Sequence, residues 1–253
     1  MKDNQDSLYI FGPCSLESLE QITPVAALIK RHGLKYLRTQ LFKPRTNPDS
    51  FQGLGKDGEV ILETLRKTYS KDELKFVCEA CSTDQLAIIA PWASVIQIGA
   101  RNMQNFELLK AVGKYISDDH DFVLLKRGFA NTVDEWLESA RYLIQGGVPK
   151  NKVVLCERGT RSLTSPTGVQ LDFIAAMEAK KAGFKVITDP SHGSKRAEFV
   201  IPLAKASLQL GLDGLMVECH PRPTESFSDA KQAISIEETE AFIKSSLQGR
   251  SAN

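Results

Sequence analysis

Short, continuously apolar runs punctuate the chain. They are LYIF at 8–11, KYLRTQLF at 35–42, KFVCEA at 75–80, SVIQIG at 94–99, FVLLKR at 122–127, KVVLCER at 152–158, KVITDP at 185–190 and GLMVEC at 214–219. Each is rich in β-branched or aromatic residues and lacks the strict polar alternation of a half-exposed strand. Each therefore reads as a strand buried on both faces. Between them lie longer stretches with apolar residues every three or four positions, among them LESLEQITPVAALIKRHG, NTVDEWLESARYLIQGG, TGVQLDFIAAMEAKKAG, KRAEFVIPLAKASLQLG and SDAKQAISIEETEAFIKSSLQ. That spacing predicts helices. Gly33, Gly146, Gly183 and Gly211 supply helix stops, and Ser82 and Asn131 are the expected N-caps.

Eight such strands alternating with eight helices in 253 residues predict an α/β fold, a (β/α)8 TIM barrel. A doubly wound open sheet is the alternative, but no Gly-rich dinucleotide fingerprint follows the first strand. No linker or low-complexity tract divides the chain. The expectation is a single catalytic domain over 1–253, with its first strand from about residue 8, its last helix to about 247 and no regulatory domain.

Composition narrows the class further. The chain is 42% hydrophobic and 25% charged with a net charge of +1, which supports a large core. It offers no electrostatic case for nucleic acid or a membrane as partner. The polar start MKDNQDS lacks the apolar stretch of a signal peptide. Five cysteines in a chain of this size do not make a disulfide scaffold, so a reduced, cytoplasmic setting is expected.

The C-terminal strand ends of such a barrel build its active site, and here they read FGPCS, RTQLFKPRT, CEACS, IGAR, LKRG, CERG, DPSH and VECHP. Cys14, His192 and Glu218 fall at the ends of strands that neighbour one another once the barrel closes, and Asp229 follows the last strand. A thiolate, an imidazole and two carboxylates suit a divalent first-row metal without choosing among zinc, manganese, iron and cobalt. A lone cysteine is more often a small core residue, the reading given to Cys78, Cys156 and Cys219. Arg38, Lys43, Arg45, Arg101, Lys126, Arg158 and Arg161 sit at or just beyond strand ends. So many cations on one face of a nearly neutral protein predict a ligand with more than one anionic group. The residues alone thus point to a metal-dependent barrel enzyme acting on phosphorylated, carbonyl-bearing small molecules.

The stretches FGPCSLES, KPRTNPDSFQGLG, IGARNMQNFELL, DPSHGSKR and VECHPRPTESFSDAKQAI resemble the type I 3-deoxy-D-arabino-heptulosonate 7-phosphate (DAHP) synthases. The likeness is to the subgroup related to the 3-deoxy-octulosonate 8-phosphate synthases, and it runs from about residue 8 to 245. The resemblance implies condensation of phosphoenolpyruvate (PEP) with erythrose 4-phosphate, the first step of the shikimate pathway. It implies metal ligation by Cys14, His192, Glu218 and Asp229, with Mn²⁺ placed ahead of Zn²⁺, Fe²⁺ and Co²⁺. It places PEP on Lys126, Arg101 and Arg158, with Arg38, Lys43 and the backbone of Ala100 completing that site. Arg45 and Thr46 would meet the erythrose phosphate, and Glu79 would help place the attacking water. Lys43, Glu79, Lys126 and His192 are the expected catalytic group. A homodimer or homotetramer, and a chorismate mutase fused to or associated with the barrel, are also implied. Two other functions are weighed. In the octulosonate synthases an Asn stands between the Lys and Arg, where this chain has Pro44. A non-catalytic sugar-phosphate-binding barrel would need the cations but not the metal set.

Overall fold

The protein is described here by a computed structural model covering residues 7–248. Its strands are β1 (Leu8–Gly12), β2 (Tyr36–Arg38), β3 (Lys75–Ala80), β4 (Val95–Ile98), β5 (Phe122–Lys126), β6 (Val153–Glu157), β7 (Thr160–Arg161), β8 (Val169–Gln170), β9 (Lys185–Thr188) and β10 (Gly214–Glu218). The α-helices are α1 (Leu19–Arg31), α2 (Glu59–Thr68), α3 (Thr83–Ile89), α4 (Phe106–Val112), α5 (Val133–Gln145), α6 (Phe173–Lys181), α7 (Pro190–Ser194), α8 (Ala197–Gln209) and α9 (Ile236–Phe242). Eight strands close into a parallel barrel in the order β1-β10-β9-β6-β5-β4-β3-β2, while β7 and β8 pair as a separate antiparallel hairpin. No helix among the described residues is long and apolar enough to cross a membrane.

Continuously apolar strands resolve into two cores because successive side chains point to opposite faces. Tyr9, Phe11, Leu37, Phe76, Ile96, Val123, Leu125, Leu155, Val186 and Leu215 pack outward into the layer shared with the helices. Leu8, Ile10, Val77, Val95, Phe122, Leu124, Val154, Cys156, Ile187 and Met216 fill the barrel interior. Continuing the inward alternation one step brings seven of the eight strands to a buried polar residue, Arg38, Glu79, Gln97, Lys126, Arg158, Asp189 and Glu218, while β1 reaches Gly12. The interior is therefore apolar at its base and ionic at its C-terminal end.

The structure corrects several boundaries. Only Tyr36–Arg38 of the run 35–42 is strand; beyond it the chain leaves the ladder, and the Gln40 carbonyl accepts from Leu16 N–H instead. The expected helix at 167–183 begins only at Phe173, because Asp172 caps it and Val169–Gln170 pair with the hairpin. The last helix starts at Ile236 behind a Ser235–Glu238 capping box, since Ile234 first bridges to Cys219. The short α7, inside the DPSHGSK segment, was not expected. Gly146 is the C-cap of α5 but keeps an αR conformation, and Gly147 takes the left-handed turn at φ 112°.

Ser82 caps α3 as expected, but the N-cap of α5 is Thr132 rather than Asn131. The Thr132 hydroxyl accepts from Glu135 N–H, and the Glu135 carboxylate accepts in turn from Thr132 N–H. The Asn131 carbonyl is instead taken by the Arg127 guanidinium. Thr132→Ala should lower unfolding stability by about 1 kcal/mol. Asn131→Ala, with no cap to lose, should cost distinctly less; urea denaturation of the two variants decides it, and the reverse order would reassign the cap.

Candidate active site

The floor of the barrel mouth is built on the inward polar layer. Glu218, at the end of β10, is fully buried; it accepts from the Arg38 guanidinium and, at 2.6 Å, from Gln232 Nε2. Burial alone would raise its carboxyl pKa, but His192 and Arg38 outweigh burial and hold it below the ordinary value. Across the same layer Lys126 Nζ donates to Asp189 Oδ2 at 2.6 Å, and Gln97 Nε2 donates to Glu79 Oε2 at 2.6 Å. Glu79 can lie over the end of β4 only because residue 99 is glycine: a Cβ there would stand 2.0 Å from Glu79 Oε1.

Asp189 fixes the histidine. It caps α7 by accepting from His192 N–H at 3.0 Å, and its Oδ2 lies 2.8 Å from His192 Nδ1. A proton on Nδ1 satisfies that contact and leaves Nε2 free, facing Glu218 Oε1 at 3.4 Å and Asp229 Oδ2 at 3.8 Å. Burial lowers the His192 pKa, which favours the neutral ring that a metal requires. The carboxylate behind the imidazole is the arrangement that orients metal-ligating histidines.

Cys14, in the loop after β1, completes the cluster. Its thiol donates to Asp229 Oδ2 at 2.9 Å and accepts from Lys43 Nζ at 2.6 Å. Burial, with the Glu218 charge next, pushes the thiol above its usual pKa despite Lys43 and Arg38. Burial would also lower Lys43, but Cys14 and Asp229 outweigh it and hold the ammonium charged. Asp229 lies well below the carboxylate range, with Lys43 the chief opponent of burial. The loops that carry Cys14 and Asp229 are stitched together by Ser15 Oγ to Ser228 Oγ at 2.7 Å, and by Glu17 accepting from Phe227 N–H and Ser226 Oγ.

Ligand atoms of Cys14, His192, Glu218 and Asp229 all lie within 4.8 Å of one another. A divalent ion takes such donors at about 2.0–2.3 Å, so donors on opposite sides of it stand at most about 4.6 Å apart. The cluster therefore fits a metal with adjustments of tenths of an ångström, and a soft thiolate beside imidazole and carboxylates suits a first-row ion.

Above this floor opens a cavity of about 1070 Å³, its wall including Lys43, Arg45, Thr46, Ala100, Arg101, Arg158, Arg161, His192 and Asp229. Cys14, Arg38, Glu79, Lys126 and Glu218 are buried beneath that wall. Arg101 donates to Thr46 Oγ1 at 3.1 Å, so the loops after β2 and β4 meet across the mouth. Arg45 approaches Asp229 Oδ1 at 3.9 Å and keeps a buried, unpartnered NH1. Lys195 and Asp229, the non-glycine residues with positive φ among those described, both line this cavity, where backbone strain is characteristically tolerated.

Asp189, Gln40, Gln97 and Gln232 were not singled out from sequence. Strand alternation could have found Gln97 and Asp189, since each lies two residues beyond an inward apolar position. Gln40, whose Oε1 accepts from Arg38 at 3.1 Å, and Gln232 lie outside any ladder, so periodicity carried no signal for them.

The sequence pattern of the DAHP synthetase I family matches residues 2–251. The phospho-2-dehydro-3-deoxyheptonate aldolase of Thermotoga maritima is 43% identical over 229 residues, covering 90% of this chain but only 65% of that enzyme. A 2-dehydro-3-deoxyphosphooctonate aldolase of Fusobacterium nucleatum is 27% identical over 261 residues, covering 94% of this chain and 88% of its own. The crystal structure of the Thermotoga maritima DAHP synthase superposes with a TM-score of 0.87 at 40% identity, covering 97% of this chain and 70% of that one. A truncated form of the synthase from the same organism gives 0.84 at 37%, covering 97% and 87%. With the family pattern spanning nearly its whole length, the chain belongs to the DAHP synthetase I family.

Proposed function

We propose that this barrel is a metal-dependent DAHP synthase, condensing PEP with D-erythrose 4-phosphate and water to give 3-deoxy-D-arabino-heptulosonate 7-phosphate and inorganic phosphate. One observation carries the reading: a four-donor metal cluster on the floor of a cavity whose wall holds cations from several separate strand ends. A substrate pair bearing two phosphates and a carboxylate needs such a wall. The heptulosonate synthase at 43% identity favours erythrose 4-phosphate over the five-carbon aldehyde of the octulosonate relatives at 27%. So does Pro44, which presents neither an amide side chain nor a backbone N–H to a further sugar hydroxyl.

A divalent ion held by Cys14, His192, Glu218 and Asp229 would supply Lewis acidity toward the aldehyde oxygen. The chain's own residues do the rest. Arg101, Arg158, Lys126 and the backbone of Ala100 hold PEP, with Arg38 and Lys43 toward its carboxylate. PEP C3 bonds to the aldehyde carbon, and Lys43, its ammonium 3.0 Å from Asp229 Oδ2, gives the new alkoxide its proton. The C2–C3 π pair forms that bond and leaves C2 electron-poor, so water placed by Glu79 adds at C2 and sheds one proton to solvent. The resulting hemiketal phosphate then loses its hydroxyl proton and breaks the C2–O bond to phosphate, leaving the ketone. Arg101, Arg158 and Lys126 stabilise the departing charge.

Phosphate release from PEP should require erythrose 4-phosphate, stop with chelator and return with Mn²⁺. Full turnover by metal-free protein, or preference for arabinose 5-phosphate, overturns the assignment.

Because burial keeps the Cys14 thiol protonated without a metal, ligation must expel that proton. Mn²⁺ binding should therefore release about one proton from this site and tighten as pH rises. Calorimetry in buffers of different ionisation enthalpy reads the release, and in Cys14→Ser both it and the affinity should fall. An unchanged affinity in that variant removes Cys14 from the ligand set.

Arg45→Ala should raise the KM for erythrose 4-phosphate about tenfold to a hundredfold while sparing PEP, a loss of about 1.5–3 kcal/mol. Arg158→Ala should weaken PEP instead, and the opposite pattern would exchange the two phosphate sites.

A further inference from the structure

The cation wall contains an aromatic ring that the reaction does not call for. Phe129 lies in the loop after β5, half-buried, in the wall of the same cavity. Three guanidiniums surround it: Arg158 at 4.8 Å from the ring centroid, Arg101 at 5.3 Å and Arg161 at 5.9 Å. They come from the ends of different elements, after β4, after β6 and within β7. None of the three forms an ion pair with a carboxylate among the described residues, although nearly every other cation of the mouth floor does. Arg158 is buried, and its donor contact is to the carbonyl of Gly159 at 3.1 Å.

Three like charges converging without an ion-paired carboxylate repel one another, and Arg158 is also buried. The π-face of a phenyl ring attracts cations electrostatically within about 6 Å, and guanidinium stacks on it well. It takes up none of the N–H donors, where a carboxylate would; Arg101 gives one to Thr46 Oγ1 and Arg158 one to the Gly159 carbonyl, and the others face no carboxylate. A carboxylate here would compete with an anionic ligand; a ring does not. The main chain reinforces the arrangement, because Arg161 N–H donates to the Phe129 carbonyl at 2.7 Å and pins the hairpin to this loop.

We infer that Phe129 is a positioning residue for the PEP phosphate site: its ring gathers Arg101, Arg158 and Arg161 into one anion receptor while leaving their donors open. The identity of the anion rests on the synthase reading, but the receptor does not.

Phe129→Leu keeps the apolar bulk and removes the ring; Phe129→Tyr keeps the ring. Inorganic phosphate is the direct probe, titrated calorimetrically into the metal-loaded protein, with steady-state kinetics alongside. Phe129→Leu should weaken phosphate and raise the KM for PEP about tenfold. It should leave the KM for erythrose 4-phosphate and the unfolding midpoint nearly unchanged, and Phe129→Tyr should restore phosphate affinity to within about twofold. Unaltered phosphate affinity in Phe129→Leu overturns the inference, as does an equal loss in Phe129→Tyr or a loss that follows the unfolding midpoint. If the wild-type protein binds phosphate but does not turn over PEP, the synthase reading fails and the phosphate titrations still decide the role of Phe129.

Discussion

Charges buried inside a barrel must find partners or the fold fails, and this constraint organises the mouth. Arg38 and Glu218 are almost fully excluded from water, as are Lys126 and Asp189. Moving either member of such a pair out of water alone costs several kcal/mol, so each is tolerable only beside its opposite. The pairing makes the polar layer rigid. Glu218 has Arg38 on one side and Gln232 on the other, while Asp189 holds Lys126 and the His192 ring at once. The donors that could meet a metal are thereby aimed before any metal arrives.

The loops add what the strands cannot. The barrel interior supplies Glu218 and the Asp189 behind His192, but Cys14 and Asp229 come from segments with no ladder of their own. Hydrogen bonds among Ser15, Glu17, Ser226, Phe227 and Ser228 join those segments, and Phe51 packs edge-on against Phe227 at 5.4 Å to tie in the loop after β2. The strained backbone at Asp229 is held by this stitching. The floor is thus ion-paired and carries the metal-ligating side chains, and the wall is cationic and assembled from several loops. That division matches a chemistry in which one substrate group meets a metal while others are held by their phosphates.

Much of this was legible in the one-dimensional pattern. Eight apolar runs separated by helical segments specify a parallel sheet covered on both faces, and their number, with no Gly-rich fingerprint after the first, points to the closed barrel that forms. Closure makes the first and last strands neighbours, so Cys14, His192 and Glu218 could be grouped from their positions alone, and long motifs supplied the family. Boundaries were less legible where local signals competed. Asn131 and Thr132 are both good capping residues; the Thr132–Glu135 capping box and the claim of Arg127 on the Asn131 carbonyl separate them. The run after Arg38 looks like strand because it is buried, yet beyond Thr39, which still donates to Val77 of β3, its hydrogen bonds go elsewhere.

The sequence by itself determined the alternation of elements, the end of the barrel that carries chemistry and the types of side chain gathered there, because these follow from period and polarity along the chain. Only the tertiary structure decided which charge faces which. Arg38 against Glu218, Lys126 against Asp189 and Phe129 among three arginines are contacts between segments remote in sequence. Their partners are chosen by how eight strands register around the barrel and where the loops land, and burial then makes those choices binding.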